Sequence, residues 1–188
     1  MPRMTFPSPD TMNTEQLRVH DMVVSGRRGK IVGPLRAALH SPELAERWQA
    51  LGEFLRYRSS MSPRQSELAI LVTGRACQSP FEWYAHVIEA RKAGIEQTVI
   101  DDLLAQRVPA ELCDDDRLVV QVARELNECN SIADATYTAA LARFGNCTLV
   151  ELTALVGYYT MVAMTLNAHE IPLPEGVEPA FDRPQAQR

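Results

Sequence analysis

The sequence predicts an all-α fold, and three observations predict it. Proline is kept out of the interior: of 12 prolines, seven lie at the two ends (Pro2, Pro7, Pro9, Pro172, Pro174, Pro179 and Pro184) and five between residues 11 and 171. Proline breaks a helix interior but is accepted in a first turn. Three of the five internal prolines follow a serine (Ser41-Pro42, Ser62-Pro63 and Ser79-Pro80), which is the order N-cap then first helical residue. No segment shows the period-two alternation of a half-buried strand. With 188 residues and 46% apolar content, the chain fits one domain that buries roughly 70% of its unfolded surface. That excludes global disorder, and four cysteines in such a length exclude a disulfide-stapled mini-protein.

The elements follow in order. Residues 1–12 are a proline-rich arm. Helices are expected at 14–25, 42–57, 63–76, 80–93, 96–106, 114–129, 132–144 and 149–167, with a short turn near 34–40. Ser62-Pro-Arg-Gln65 and Ser79-Pro-Phe-Glu82 read as capping boxes, and Thr148-Leu-Val-Glu151 as a start of the same kind. Gly94 and Gly145 suit the residue just past a helix end. Asp114-Asp115-Asp116 opens a helix, where negative charge complements the dipole without any calcium. Pro109 to Asp114 is a loop. The domain runs from 13 to 170, and 171–188 is a second proline-rich arm. Both arms are expected to be disordered or laid over a neighbouring subunit.

Composition excludes several function classes. The net charge is 19 − 24 = −5 with no basic run, which argues against nucleic acid as a partner. The longest uncharged apolar run, Leu152 to Ala168, holds Thr, Gly, Tyr and Asn and falls short of the roughly 20 residues of a membrane span. Met1 to Asp10 has no apolar core of a signal peptide. A cytoplasmic protein with reduced thiols and no membrane partner is expected. No nucleotide-binding loop, dinucleotide fingerprint or nucleophile elbow is present. The small basic turn Gly26-Arg-Arg-Gly-Lys30 reads as a solvated loop.

The helix at 80–93 carries the most chemistry. Apolar residues occupy nearly its whole circumference, as in a helix at the centre of a bundle. Glu82, His86 and Glu89 form one stripe at i, i+4 and i+7. The plain reading is a solvent face, with Glu82 also serving the Ser79 capping box. The preceding helix adds Glu67 among apolar neighbours. If the two helices are antiparallel about Gln78, Glu67 and His86 differ in axial depth by only about 4–5 Å. Glu67, Glu82 and His86 then converge, and a histidine beside two carboxylates suits acid–base chemistry. One Glu-x-x-x-His pair is a weak metal signal, so neither metal nor cofactor is expected.

At these residues the chain resembles the carboxymuconolactone decarboxylase family, with its alkylhydroperoxidase-D-like relatives. The resemblance runs from about Gly33 to Pro174. Its most specific parts are Ser62-Pro-Arg-Gln-Ser-Glu67 and Phe81-Glu-Trp-Tyr-Ala-His86-Val-Ile-Glu-Ala-Arg-Lys-Ala-Gly94, with Gly157-Tyr-Tyr-Thr-Met-Val-Ala-Met-Thr-Leu-Asn167 leading into Ile171-Pro-Leu-Pro174. It implies an alkylhydroperoxidase-D-like helical bundle, oligomeric, as a homotrimer or homohexamer. It places the family glutamate at Glu67 and the family histidine at His86. The two redox cysteines of the peroxidase branch fall at Ser79 and Glu82, so this branch lacks the Cys-x-x-Cys pair. A dithiol peroxidase needs an attacking thiolate and a resolving thiol, and that activity is not expected here. Cys77, Cys113, Cys129 and Cys147 read as mostly structural.

The expected function is therefore acid–base chemistry on a small carboxylated or lactone substrate, in the manner of a decarboxylating lyase. His86 transfers the proton, Glu67 orients it, and Glu82 is a second acid–base group or polar wall. Arg75, Trp83 and Ser79 are the substrate-binding candidates, although eight residues put Arg75 about 80° around the helix from Glu67. Two alternatives stay open: a peroxide-linked oxidoreductase using unpaired thiols, and a catalytically silent ligand-binding member. His20, His40 and His169 read as isolated, with His169 at the edge of the C-terminal arm. Tyr158, Tyr159, Met161 and Met164 read as core or subunit interface, and Trp48 as core.

Overall fold

A computed structural model describes residues 2–27 and 29–183. Among them are eight helices and no strand: α1 (Thr14–Ser25), α2 (Pro34–Ala38), α3 (Pro42–Tyr57), α4 (Pro63–Ala76), α5 (Pro80–Lys92), α6 (Gln97–Leu104), α7 (Asp114–Cys129) and α8 (Asp134–Ala168). Arg28, in the basic turn, lies outside the described residues. The all-α expectation holds, and α1, α3, α4 and α7 carry the expected bounds.

The local chemistry explains most ends. Asn13 and Gln16 form a reciprocal capping box at α1, and Ser62 and Gln65 form the expected one at α4. The Asp114 to Asp116 turn opens α7 as expected, and Asn130 closes that helix in the left-handed region at φ 55°, a conformation asparagine tolerates. The capping box expected at Ser79 and Glu82 does not form, because neither side chain bonds the helix end. Thr148 and Glu151 do not cap a helix start either. They bind the α3–α4 connection, Thr148 Oγ1 with Ser60 Oγ at 2.8 Å and Glu151 Oε2 accepting from Ser60 N at 2.7 Å.

The two helices expected at 132–144 and 149–167 are the two segments of α8, which turns at Gly145 (φ 76°, ψ 172°). That combination is essentially restricted to glycine. By length and apolar composition α8 could cross a membrane, but half of its most apolar window is buried inside the protein. It is a core helix.

α4 lies at the centre, packed by α5, α7 and α8. Its residues Ser66 to Gly74 are all buried, because Leu68-Ala-Ile-Leu-Val72 leaves no polar face to turn outward. Arg64, at its first turn, ties neighbours together. It donates Nε to Asp116 Oδ2 at 2.7 Å and Nη2 to Glu96 Oε2 at 2.7 Å, and it bonds the Gly94 carbonyl.

The described parts of both arms pack on the helical body of their own chain. Met4, Phe6 and Met12 pack against the core, and Arg36 sits 4.1 Å above the Phe6 ring. Arg3 donates its backbone N–H to His169 O and pairs with Glu170. His40 Nε2 meets Thr5 O at 2.9 Å. At the other end Ile171 is buried, Phe181 packs edge-on against Trp83, and Arg183 donates to Asn167 O at 2.7 Å. Intramolecular apolar burial thus holds segments whose proline content alone suggested loose tails.

Candidate active site

Glu67 and His86 meet. His86 Nδ1 lies 2.7 Å from Glu67 Oε2, and both side chains are about nine-tenths buried. An ionised carboxylate only accepts, so Nδ1 carries the proton and donates it. The second ring nitrogen, Nε2, is then the one with a free lone pair in the neutral ring. The α4–α5 turn brings this about. Gln78 adopts φ 51°, Ser79 N donates back to Gly74 O at 2.9 Å, and α5 returns along α4.

Glu82 is the second inward member of the stripe. It is 2% exposed, and neither carboxylate oxygen has a hydrogen-bond partner among the described residues. Burial, reinforced by the charge of Glu67, pushes its carboxyl well above the ordinary range. A partnerless buried carboxylate is too costly to keep ionised, so Glu82 is a neutral acid with a proton to donate. It lies against Gly74, where an added Cβ would stand 3.3 Å from Glu82 Cγ. The missing side chain at 74 is what lets this acid in. Glu89, the third member, turns outward and pairs with Lys92 at 2.8 Å.

Two groups that the sequence reading placed elsewhere, or did not mark, complete the surroundings. Tyr159 of α8 is buried and meets the His86 ring edge-to-face at 4.9 Å between centroids. Burial pushes its hydroxyl well up, so it stays a phenol. Arg56 of α3 is half-buried. Burial opposes its charge, but Tyr159, Tyr57, Glu67 and Glu89 face it and together raise its pKa. Tyr159 reads in sequence as one more core aromatic, and Arg56 stands in a run of alternating arginines and aromatics with no motif to mark it.

The remaining candidates divide. Ser79 is fully buried at the start of α5, and its Oγ has no partner among the described residues. Trp83 is buried but faces the C-terminal arm, with its ring 6.2 Å from that of Phe181. Arg75 is not the site's cation. Its Nε donates to Leu104 O at 2.8 Å and its guanidinium lies 4.5 Å from the Phe181 ring, as its angular offset from Glu67 requires.

All four cysteines are free thiols. Cys77 is half-buried, while Cys113, Cys129 and Cys147 are exposed, so the structural role expected of them does not extend to those three. Burial pushes the Cys77 thiol up, outweighing a weak contact with Thr160 that favours the thiolate. Among the described residues no group of three or more His, Cys, Asp or Glu is arranged to hold a metal ion.

Comparison with known proteins follows the geometry. Residues 42–125 match the model of the Carboxymuconolactone decarboxylase family, a span that contains Glu67, Ser79, Glu82 and His86. A search of curated proteins finds no match. Among solved structures, the chain is similar to an alkylhydroperoxidase AhpD core, an uncharacterized peroxidase-related protein from Ralstonia eutropha JMP134. The TM-score is 0.78 at 14% identity, covering 93% of each chain. An uncharacterized peroxidase-related protein from Silicibacter sp. TM1040 gives 0.76 at 16% identity over 91% of each. The debrominase Bmp8 in complex with 2,3,4-tribromopyrrole gives 0.74 at 8% identity, covering 93% of this chain and 95% of that one. The fold is therefore alkylhydroperoxidase-D-like.

Proposed function

We propose, from a chain whose residues 42–125 match the model of the carboxymuconolactone decarboxylase family, that this protein is an acid–base enzyme acting on a small carboxylated or lactone substrate. The observation that carries the reading is the buried pair of His86 Nδ1 and Glu67 Oε2 at 2.7 Å, beside the partnerless acid Glu82. Fold likeness does not decide the reaction, since one fold hosts unrelated chemistries.

In this reading the substrate carboxylate is drawn by the Arg56 guanidinium, which takes the part that Arg75 does not. The bond between the ring carbon and its carboxylate breaks, CO₂ leaves, and the electron pair passes into the conjugated carbonyl as a dienolate. The dienolate oxygen is stabilised by a neutral donor, a role that the protonated Glu82 fits. A proton is then delivered to carbon from His86, whose imidazolium form Glu67 stabilises and orients. One proton enters and one CO₂ leaves for each carboxylate consumed. We include in the proposal a homotrimer or homohexamer in the cytoplasm.

The thiol alternative is less well supported. Cys77 is held as a thiol by burial, and the other three cysteines lie exposed. The test is CO₂ release from a panel of carboxylated muconolactones. His86→Ala is expected to lower kcat by about 10²–10⁴-fold, and Glu67→Gln to lower kcat with little change in KM. Turnover that survives His86→Ala overturns the assignment.

A further inference from the structure

Around α4 from Glu67, a groove runs between α4, α6 and α7. Its polar lining is Arg75, Gln106, Arg107, Arg124, Asn127 and Glu128. It has a cavity volume of about 40 Å³, where one water takes roughly 10–15 Å³ on the same scale. That is room for about three waters, or for one small tetrahedral anion.

The groove is rich in guanidinium and poor in carboxylate. Arg107 is neutralised by Asp102, to which it donates at 2.7 and 2.9 Å. Among the described residues Arg75 has no carboxylate partner. Three of its five N–H donors are taken by neutral carbonyl oxygens: Nε by Leu104 O, and one each from Nη1 and Nη2 by the Gln106 amide oxygen, at 3.0 and 2.8 Å in the orientation that satisfies both ends of that amide. Arg124 is the less satisfied. Its side chain is only 28% exposed, and its ion-pair partner among the described residues is Glu128 at 3.6 Å, itself 60% exposed. An exposed partner at that distance contributes little, whereas a largely buried guanidinium with a single distant acceptor is costly. Guanidinium forks match phosphate oxygens in pairs.

We propose that this groove binds a single phosphate group, free or as a monoester, held between Arg75 and Arg124. Two cations without a buried counter-charge balance one dianion, and the cavity takes one such group. The proposal is independent of the chemistry at His86.

The test is calorimetric titration of the full chain, in chloride buffer at low ionic strength, with inorganic phosphate and separately with glycerol phosphate. Saturable binding of one phosphate per chain is expected. Arg75→Gln and Arg124→Gln should each weaken it at least tenfold, and Arg124→Lys, which keeps the charge and loses the fork, should fall between. His86→Ala, and Arg143→Gln at an exposed arginine paired with Asp115, should bind like wild type. Tighter binding of inorganic phosphate assigns the free ion, and tighter binding of the glycerol ester assigns the monoester. Absence of saturation with both ligands overturns the proposal. So does wild-type binding by both Arg75→Gln and Arg124→Gln, or an equal loss in Arg143→Gln. If Arg124→Gln does not fold, Arg124→Lys and Arg75→Gln carry the comparison.

Discussion

Glu82→Gln is expected to remove a pH dependence of stability that wild type carries. Glu82 is fully buried, and its carboxyl is raised well above its ordinary value of 4.5 by burial and then by Glu67. Above pH 4.5 the unfolded chain releases this proton while the folded chain keeps it. The folded state then binds more protons than the unfolded one, so stability falls as pH rises until the folded carboxyl itself ionises. The slope in that window is about 1.4 kcal/mol per pH unit for one proton. No screening discount applies, because the group is out of water. Glutamine fills the same space and does not titrate. Urea unfolding at successive pH values from 5.5 upward should therefore show the variant gaining on wild type, by up to about 0.7 kcal/mol per half unit, until the folded carboxyl ionises. A difference between the two proteins that stays flat over this range refutes the claim that Glu82 is held as a neutral acid, and with it the donor role assigned above.

Arg64→Ala removes the partner of Asp116, whose side chain is 6% exposed. We expect a loss of about 2–3 kcal/mol in unfolding free energy, below the full cost of orphaning a buried charge because Arg64 itself reaches water. Gly145→Ala places a Cβ on a backbone at φ 76°, and thermal unfolding should report a cost of about 1–3 kcal/mol. Cys77→Ser should leave turnover of a carboxylated lactone within about twofold of wild type, since a thiol kept protonated by burial is a poor nucleophile. Loss of turnover in that variant would favour the thiol route over the acid–base one.

The parts of the fold written locally were legible, and those written by packing were not. α3 and α4 begin where a Ser-Pro pair stands, because proline's fixed φ and lost N–H suit a first turn. The same logic misread the serines at 41 and 79, neither of which caps its helix through its side chain. Pro80 does start α5, but the Ser79 hydroxyl is enclosed by tertiary packing and makes no cap. The meeting of Glu67 with His86 could be foreseen, since helix rise and a tight antiparallel turn fix it. Arg56 and Tyr159 could not, because they arrive from α3 and α8 through packing of the whole bundle, with no spacing along the chain to betray them. The fate of the arms was hidden for a similar reason. Phe6 and Phe181 are single aromatic residues in proline-rich surroundings, and only the folded body shows what each ring lies against.

The position of Phe181 has a practical side. The ring lies against both Trp83 and Arg75. Preparations trimmed at the C-terminus by a contaminating protease would therefore be a different molecule, with a bared indole and a guanidinium released from its aromatic roof. A mixture of full and trimmed chains would show two tryptophan emission components and two phosphate affinities. An intact-mass measurement belongs before any titration.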